Sequence, residues 1–282
     1  MVKIVTFIYE FINKYRMHNI NLIEASIVDY LLELSLEVMR RFRGTHKITQ
    51  KSDNSLVTDS DRNIETLLKN QFANLLPNSY FLGEENSDMT PDQYRKIFEN
   101  EYVWAIDPID DTANFANGNP FFAVSVGLLK KDNDGHTPVA GAVLFPALNE
   151  IIYTKDGKSY SIQLSSREET ELQTPRNESE KSTVMLTDSF YKKYDFNHQV
   201  TNAQPRQVGC TVANIAYTAI GRSIGTMTAA HLWDFAGGLA IAHNLGVNMR
   251  RYSDGAVKDF FGVDDFIIGN PKKMENERNV YS

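Results

Sequence analysis

Cysteine is nearly missing: Cys210 is the only one in 282 residues. That excludes an intrachain disulfide and a zinc cluster built on thiolates. Within VGCTVANIAYTAIG, residues 208–221, Cys210 reads as a small buried residue rather than a nucleophile. An excess of basic residues is missing too. Lys and Arg number 29 against 36 Asp and Glu, for a net charge of −7, which argues against nucleic acid as a partner. Anionic substrates stay open, because a bound divalent cation inverts the local charge. No apolar run approaches a membrane-spanning length, so no membrane partner is expected. The start, MVKIVTFIYEFINKYRMHN, is interrupted by Glu10 and lacks the small-residue site of a cleaved signal, so a cytoplasmic protein is expected. Internal repeats and low-complexity segments are also lacking. The six histidines are scattered and receive no catalytic role; His231 alone stands beside a motif.

What is present is ordinary globular material, 42% hydrophobic and 23% charged, enough for one large domain or two close-packed subdomains. Residues 1–19 read as an extension. Residues 20–43 carry Leu22, Ile23, Ser26, Ile27, Tyr30, Leu31, Leu34 and Val38 at helical steps, with Gly44 suited to the end. Thr58 and Asp61 have the spacing of a capping box before a second helix. Its apolar stripe is Ile64, Leu67, Leu68, Phe72 and Leu75, and Pro77 stops it. Strands are expected at 80–83, 103–106, 121–129, 138–145 and 151–155, the last three antiparallel. Residues 166–182 are strongly polar and read as a surface connection between a first half, 20–165, and a second, 183–282. Beyond it, strands are expected at 183–187 and 223–229, and helices at 212–220 and 234–245. Strands and helices mix without regular βαβ alternation, so an α+β fold is expected.

The chemistry concentrates in WAIDPIDDTANF, residues 104–115. Asp107, Asp110 and Asp111 crowd the end of an apolar strand. Asp110 follows Asp107 by three residues, so a turn stiffened by Pro108 can aim both carboxylates at one point. Like charges that close cannot both ionise without a counter-ion, and an all-oxygen donor set suits Mg²⁺ or Ca²⁺. The Ile109 carbonyl could add a ligand. A helix starting near Thr112 would offer N–H groups to a phosphate. Alone, a D-x-x-D turn recurs by accident. Two further acidic sites accompany it: Glu84 and Glu85 in GEEN, residues 83–86, and Asp234 in LWDFAGG, residues 232–238, where Asp234 reads as a helix cap and Ala236, Gly237 and Gly238 allow close packing.

Taken together, the order K-x-D-x-S-x-V-T-x-x-D, GEE, WxxDPIDxTxNF and WDxAxG closely resembles the inositol monophosphatase family, over most of the chain from about Leu22 to IIGNPKK. The resemblance implies a layered α-β-α-β-α sandwich whose two halves meet at a metal cleft, and a lithium-sensitive hydrolase of small phosphomonoesters that uses two or three Mg²⁺. It implies metal ligation by Glu84, Asp107, the carbonyl of Ile109, Asp110 and Asp234. Glu84 would also help hold the attacking water, which Thr112, held by Asp61, would orient. Lys51 would stand near the water network, and Glu85 would support the ligands from behind. Asp111 and Thr112 would meet the phosphate. A homodimer is implied as well.

Two positions depart from the pattern. Asp111 stands where the family motif has glycine, and Met227 where inositol-processing members often have glutamate. Inositol 1-phosphate is therefore the first expectation and 3′-phosphoadenosine 5′-phosphate the second, with histidinol phosphate or fructose 1,6-bisphosphate behind. Arg206, Arg222 and Tyr217 are candidates to hold a nucleotide. A catalytically weak regulatory or binding member is the rival expectation, motivated by the extra charge of Asp111.

Overall fold

The computed structural model of the chain describes residues 2–50, 56–86, 89–132, 135–174, 183–187, 203–228, 230–247 and 249. One long helix, α1 (Val2–Phe42), opens the chain and runs unbroken across the boundary expected at residue 19. A short ribbon of β1 (Ile48–Gln50) and β2 (Leu56–Thr58) follows, then α2 (Asp59–Leu75). Next come β3 (Tyr80–Gly83), α3 (Pro91–Ile97), β4 (Tyr102–Asp110) and the short α4 (Thr112–Ala116). An antiparallel run continues through β5 (Ala123–Lys131), β6 (His136–Phe145), β7 (Glu150–Lys155), β8 (Lys158–Gln163) and β9 (Glu169–Glu171). The second half contributes β10 (Thr183–Leu186), β11 (Gln204–Arg206), α5 (Thr211–Ala219), β12 (Thr226–Met227) and α6 (Leu232–Asn244). Among the described residues no helix is long and apolar enough to cross a membrane.

Strands β3 to β9 form one seven-stranded sheet in sequence order, with β3 parallel to β4 and the rest antiparallel. Strand β4 is buried on both faces, and its alternation sorts two cores. Trp104 and Ile106 point towards α1 and α2, where they join Leu31, Ile64, Leu68 and Phe72. Val103 and Ala105 point the other way, towards α5 and α6. By the same period Asp107 lies on the α6 side. A parallel three-stranded sheet, β11-β10-β12, touches the far side of α5. The mixed α+β architecture is as expected, with four successive layers among the described residues.

Several sequence expectations need correction. Leu22 and Leu67 flank their apolar stripes and are exposed. The expected strand at 223–229 is only Thr226–Met227, and Ala229 lies outside the described residues. The polar segment 166–182 is not wholly a connection, because Glu169–Glu171 pairs with β8 as an edge strand. Glu171 pairs with Lys158 of β8, and Glu169 reaches past β8 to Lys155 of β7; such charge is how an edge strand is kept from pairing further. Helix α6 begins at Leu232, two residues before Asp234.

What sets α6 above the acidic end of β4 is the absence of side chains. A Cβ on Gly127 of β5 would come 2.6 Å from Cβ of Ala236, and one on Gly141 of β6 would come 2.3 Å from the Gly237 carbonyl oxygen. Gly237 itself leaves no room over Ser125 Oγ and the Val126 carbonyl. Helix and sheet meet nearly backbone to backbone, as the small residues of LWDFAGG foreshadow. Gly141→Ala must push α6 off the sheet, at a cost of about 1–3 kcal/mol for overpacking. The expected outcome is a thermal midpoint lower by about 2–6 °C in a calorimetric scan; an unchanged midpoint would show that the helix seat yields freely.

Candidate functional site

The acidic turn is a bulge in the sheet. Asp107 lies opposite Ser125 and Asp110 opposite Ala123, so Pro108 and Ile109 together oppose one residue of β5. Proline is tolerated at such a position because the ladder is already interrupted. Asp107 Oδ1 accepts the Ile109 N–H at 3.0 Å, which tightens the turn. Asp110 then ends the strand, and Asp111 turns the chain into α4.

One carboxylate oxygen from each of Asp107, Asp110 and Asp234 lies within 4.8 Å of the other two. Asp107 and Asp110 are buried. Burial, followed by the charges of Glu84, Asp110 and Asp234, pushes Asp107 well above the usual carboxylate range. Burial likewise raises Asp110 to about 7, against the pull of the Cys210 and Val212 donors. Asp234 is raised to about 7 by burial and then by Asp110. Glu84, just after β3, lies outside the tight trio, but its charge acts on Asp107 and Asp110.

Each acid is held by a different element. Asp234 is the third residue of α6 and not its cap; His231 precedes the helix, and its N–H donates to Asp234 Oδ2 at 2.7 Å. Asp110 Oδ2 accepts the Val212 N–H at 2.5 Å and the Cys210 thiol at 2.9 Å, both from the start of α5. Cys210 is buried as expected, but it touches the acid cluster, which its apolar sequence setting did not reveal. Burial, then the Asp110 charge, pushes the thiol up and keeps it protonated as a donor.

Beside the trio, the Thr112 hydroxyl donates to Asp61 Oδ1 at 2.7 Å. Asp61 Oδ2 accepts from Thr58 N at 2.8 Å and Thr58 Oγ1 at 2.5 Å, so the expected capping box is present and Thr58 also bonds the acid. Asp61 is buried, which raises its pKa against those three bonds. The GEE turn is pinned from behind by Glu65, a residue sequence reasoning missed. Glu65 Oε2 accepts the Glu85 N–H at 2.9 Å, its carboxylate lies against Gly83, and Lys69 pairs with it. An acid four residues after Asp61 on the buried face of α2 was the available signal.

Asp111 adopts a left-handed backbone, φ 66° and ψ 66°, which explains why glycine suits this place and why Asp is tolerated. Its Oδ1 accepts the Asn114 N–H at 2.8 Å, and its Oδ2 crowds the Cα of Gly209, where a Cβ would come within 1.9 Å. Lys51 lies outside the described residues. Arg222 and Tyr217 are brought together, but by a packing role. The guanidinium makes two 2.6 Å bonds to Glu150 and lies 4.6 Å over the Tyr217 ring, which stacks on Phe145. Arg206 is exposed on β11 and donates to Pro205 and Gln204.

Three crowded carboxylates held by backbone donors form an oxygen-only donor set with excess negative charge, and a hard divalent cation fits it. A family model described as the inositol monophosphatase family matches residues 22–280. An inositol monophosphatase 1 from Solanum lycopersicum is 29% identical over 227 residues, 74% of this chain and 77% of its own. A fructose-1,6-bisphosphatase/inositol-1-monophosphatase from Thermotoga maritima is also 29% identical, over 76% of this chain and 78% of its own. The Nus factor SuhB of Escherichia coli is 25% identical over 80% of this chain and 82% of its own. Among solved structures, a Thermotoga maritima IMPase superposes with a TM-score of 0.63 at 23% identity, covering 88% of this chain and 98% of that one. A staphylococcal IMPase-I complexed with products gives 0.68 at 17%, over 86% and 88%.

The electrostatics have a testable sign. Asp110 and Asp234 titrate higher in the fold than the ordinary carboxylate value, so the metal-free fold is stabilised at low pH and loses that contribution as pH rises through about 7. With EDTA present, the thermal midpoint should fall between pH 6 and pH 8. Asp107→Asn should raise the metal-free midpoint at pH 8 by about 2 °C and erase any gain on adding Mg²⁺. A lower metal-free midpoint in that variant would contradict the repulsion.

Proposed function

The chain belongs to the inositol monophosphatase family, and on that premise we propose that it hydrolyses a small phosphomonoester with Mg²⁺, inositol 1-phosphate first among the candidates. The tight trio of Asp107, Asp110 and Asp234 beside the Asp61–Thr112 pair carries this reading. The trio, with Glu84 and the Ile109 carbonyl, would hold the cation. Bound Mg²⁺ supplies positive charge for phosphate oxygens and lowers the pKa of water.

The chain's own groups do the positioning. The Thr112 hydroxyl donates to Asp61, which leaves its oxygen to accept a hydrogen bond from an attacking water, and a proton taken from that water is balanced by passing the hydroxyl proton on to the Asp61 carboxylate. Asp61, fixed by Thr58, keeps that hydroxyl from turning. Glu84 would hold the same water from the opposite element, with Glu85 and Glu65 fixing its turn. Lys51 would stand near the water network in this reading. Asp111 and Thr112 would meet the phosphate through their backbone N–H groups, since the Asp111 carboxylate is turned to α4 and Gly209. A two-part division of the chain, the extension at 1–19, a homodimer, lithium sensitivity and a cytoplasmic location belong to the same proposal.

Met227 supports looking beyond inositol. It is 41% exposed on β12 and accepts no hydrogen bond from a polyol hydroxyl as a carboxylate would. The 3′-phosphoadenosine 5′-phosphate alternative is therefore kept in the assay, although Arg222 and Tyr217 are occupied by Glu150 and packing. The charge of Asp111, which raises Asp110, supports the other alternative, a catalytically weak regulatory member.

Phosphate release is to be measured from inositol 1-phosphate, 3′-phosphoadenosine 5′-phosphate, histidinol phosphate and fructose 1,6-bisphosphate, each with Mg²⁺, EDTA, or Mg²⁺ plus Li⁺. Release that needs Mg²⁺ and falls with Li⁺ is expected. Thr112→Val should lower kcat about 10²-fold or more while leaving Mg²⁺ uptake intact. Silence on all four substrates in a folded protein that takes up Mg²⁺ would favour the regulatory reading.

A further inference from the structure

Asp110 differs from its neighbours in how its two oxygens are used. Its Oδ2 accepts two hydrogen bonds, from Val212 N at 2.5 Å and from Cys210 Sγ at 2.9 Å. The same sulfur accepts the Ala213 N–H at 3.3 Å, so it caps α5 and donates to the acid at once. Cys210 has no exposed surface, and that pair of bonds fixes its rotamer. The loop that delivers it is fastened to the first half. Asn114 Nδ2 donates to the Val208 carbonyl at 2.9 Å and to the Phe121 carbonyl at 2.7 Å. Asp111 packs on Gly209, next to Cys210.

We propose that Cys210 is a positioning residue of the metal centre: its thiol, with the Val212 N–H, pins one oxygen of Asp110 so that only the other is presented to a divalent cation. The proposal rests on the reading of Asp110 as a metal ligand. A carboxylate with one oxygen so engaged cannot swing to chelate with both. Mg²⁺ demands octahedral geometry and suits single-oxygen ligation, whereas Ca²⁺ readily takes bidentate carboxylates. The thiol therefore favours Mg²⁺ over Ca²⁺ at this position, and Asn114 acts through it by holding the loop.

Titration calorimetry of the metal-free protein with Mg²⁺ and with Ca²⁺ tests this without any assay of turnover. Cys210→Thr and Cys210→Val share a shape and differ in the donor. Thr should bind both ions within about two-fold of wild type. Val should weaken Mg²⁺ about three- to ten-fold and narrow the Mg²⁺/Ca²⁺ affinity ratio by a similar factor. Equal affinities and ratio in Val and wild type overturn the proposal. Should Val fail to fold, Asn114→Ala, which touches neither Cys210 nor Asp110 directly, must narrow the ratio in the same direction; an unchanged ratio overturns it. Folded wild type that takes up neither ion overturns the metal reading itself, and this proposal with it.

Discussion

Three acids crowd one cleft, and the surrounding fold has to answer their mutual repulsion. Two carboxylates about 4–5 Å apart repel by about 3–4 kcal/mol even at an effective dielectric near 20, and here three share that space with Glu84 near by. The protein answers with backbone donors. Asp110 accepts the Val212 N–H in the first turn of α5, and Asp234 is tied to the N–H that precedes α6. Both are helix N-termini, where the dipole favours negative charge. The repulsion that remains is what makes the cleft a cation site.

That arrangement requires the second half of the chain to sit very close to the first. Gly127 and Gly141 on the sheet and Gly237 on α6 remove the side chains that would separate them. The sheet face under α6 thereby carries Asp107 at one end and bare backbone in the middle. Specificity of position comes from what is missing as much as from what is there. Glu150 on β7 and Arg222 reinforce the join, with Tyr217 stacked between Arg222 and Phe145.

Asp111 illustrates how a substitution can be absorbed locally. The left-handed backbone belongs to the turn, and the carboxylate finds a use as the cap of α4. Its second oxygen fills the space above Gly209, so the two positions are matched: a side chain at 209 would collide with it. The negative charge nonetheless persists beside Asp110, and its effect on Asp110 is upward. The site therefore carries more charge than a glycine would give it.

Much was legible from the chain alone, because it depends on local periodicity and spacing. The amphipathic stripes of α1 and α2, the Thr58–Asp61 capping box, the short strand before Glu84 and the bulge-forming DPID turn all express neighbours in sequence. The ordered acidic motifs were enough for the family. Contacts between residues far apart in sequence were not legible in this way. Cys210 reaches Asp110 across 100 positions, and Thr112 reaches Asp61 across 51. Glu65 supports Glu85 from another element, and Arg222 is drawn to Glu150 rather than towards a ligand. Edge strand β9 is too polar and short to show itself before β8 is there to pair with. Period and spacing are properties of a segment. Which oxygen of Asp110 is occupied, and by what, depends on where α5 lands on the sheet.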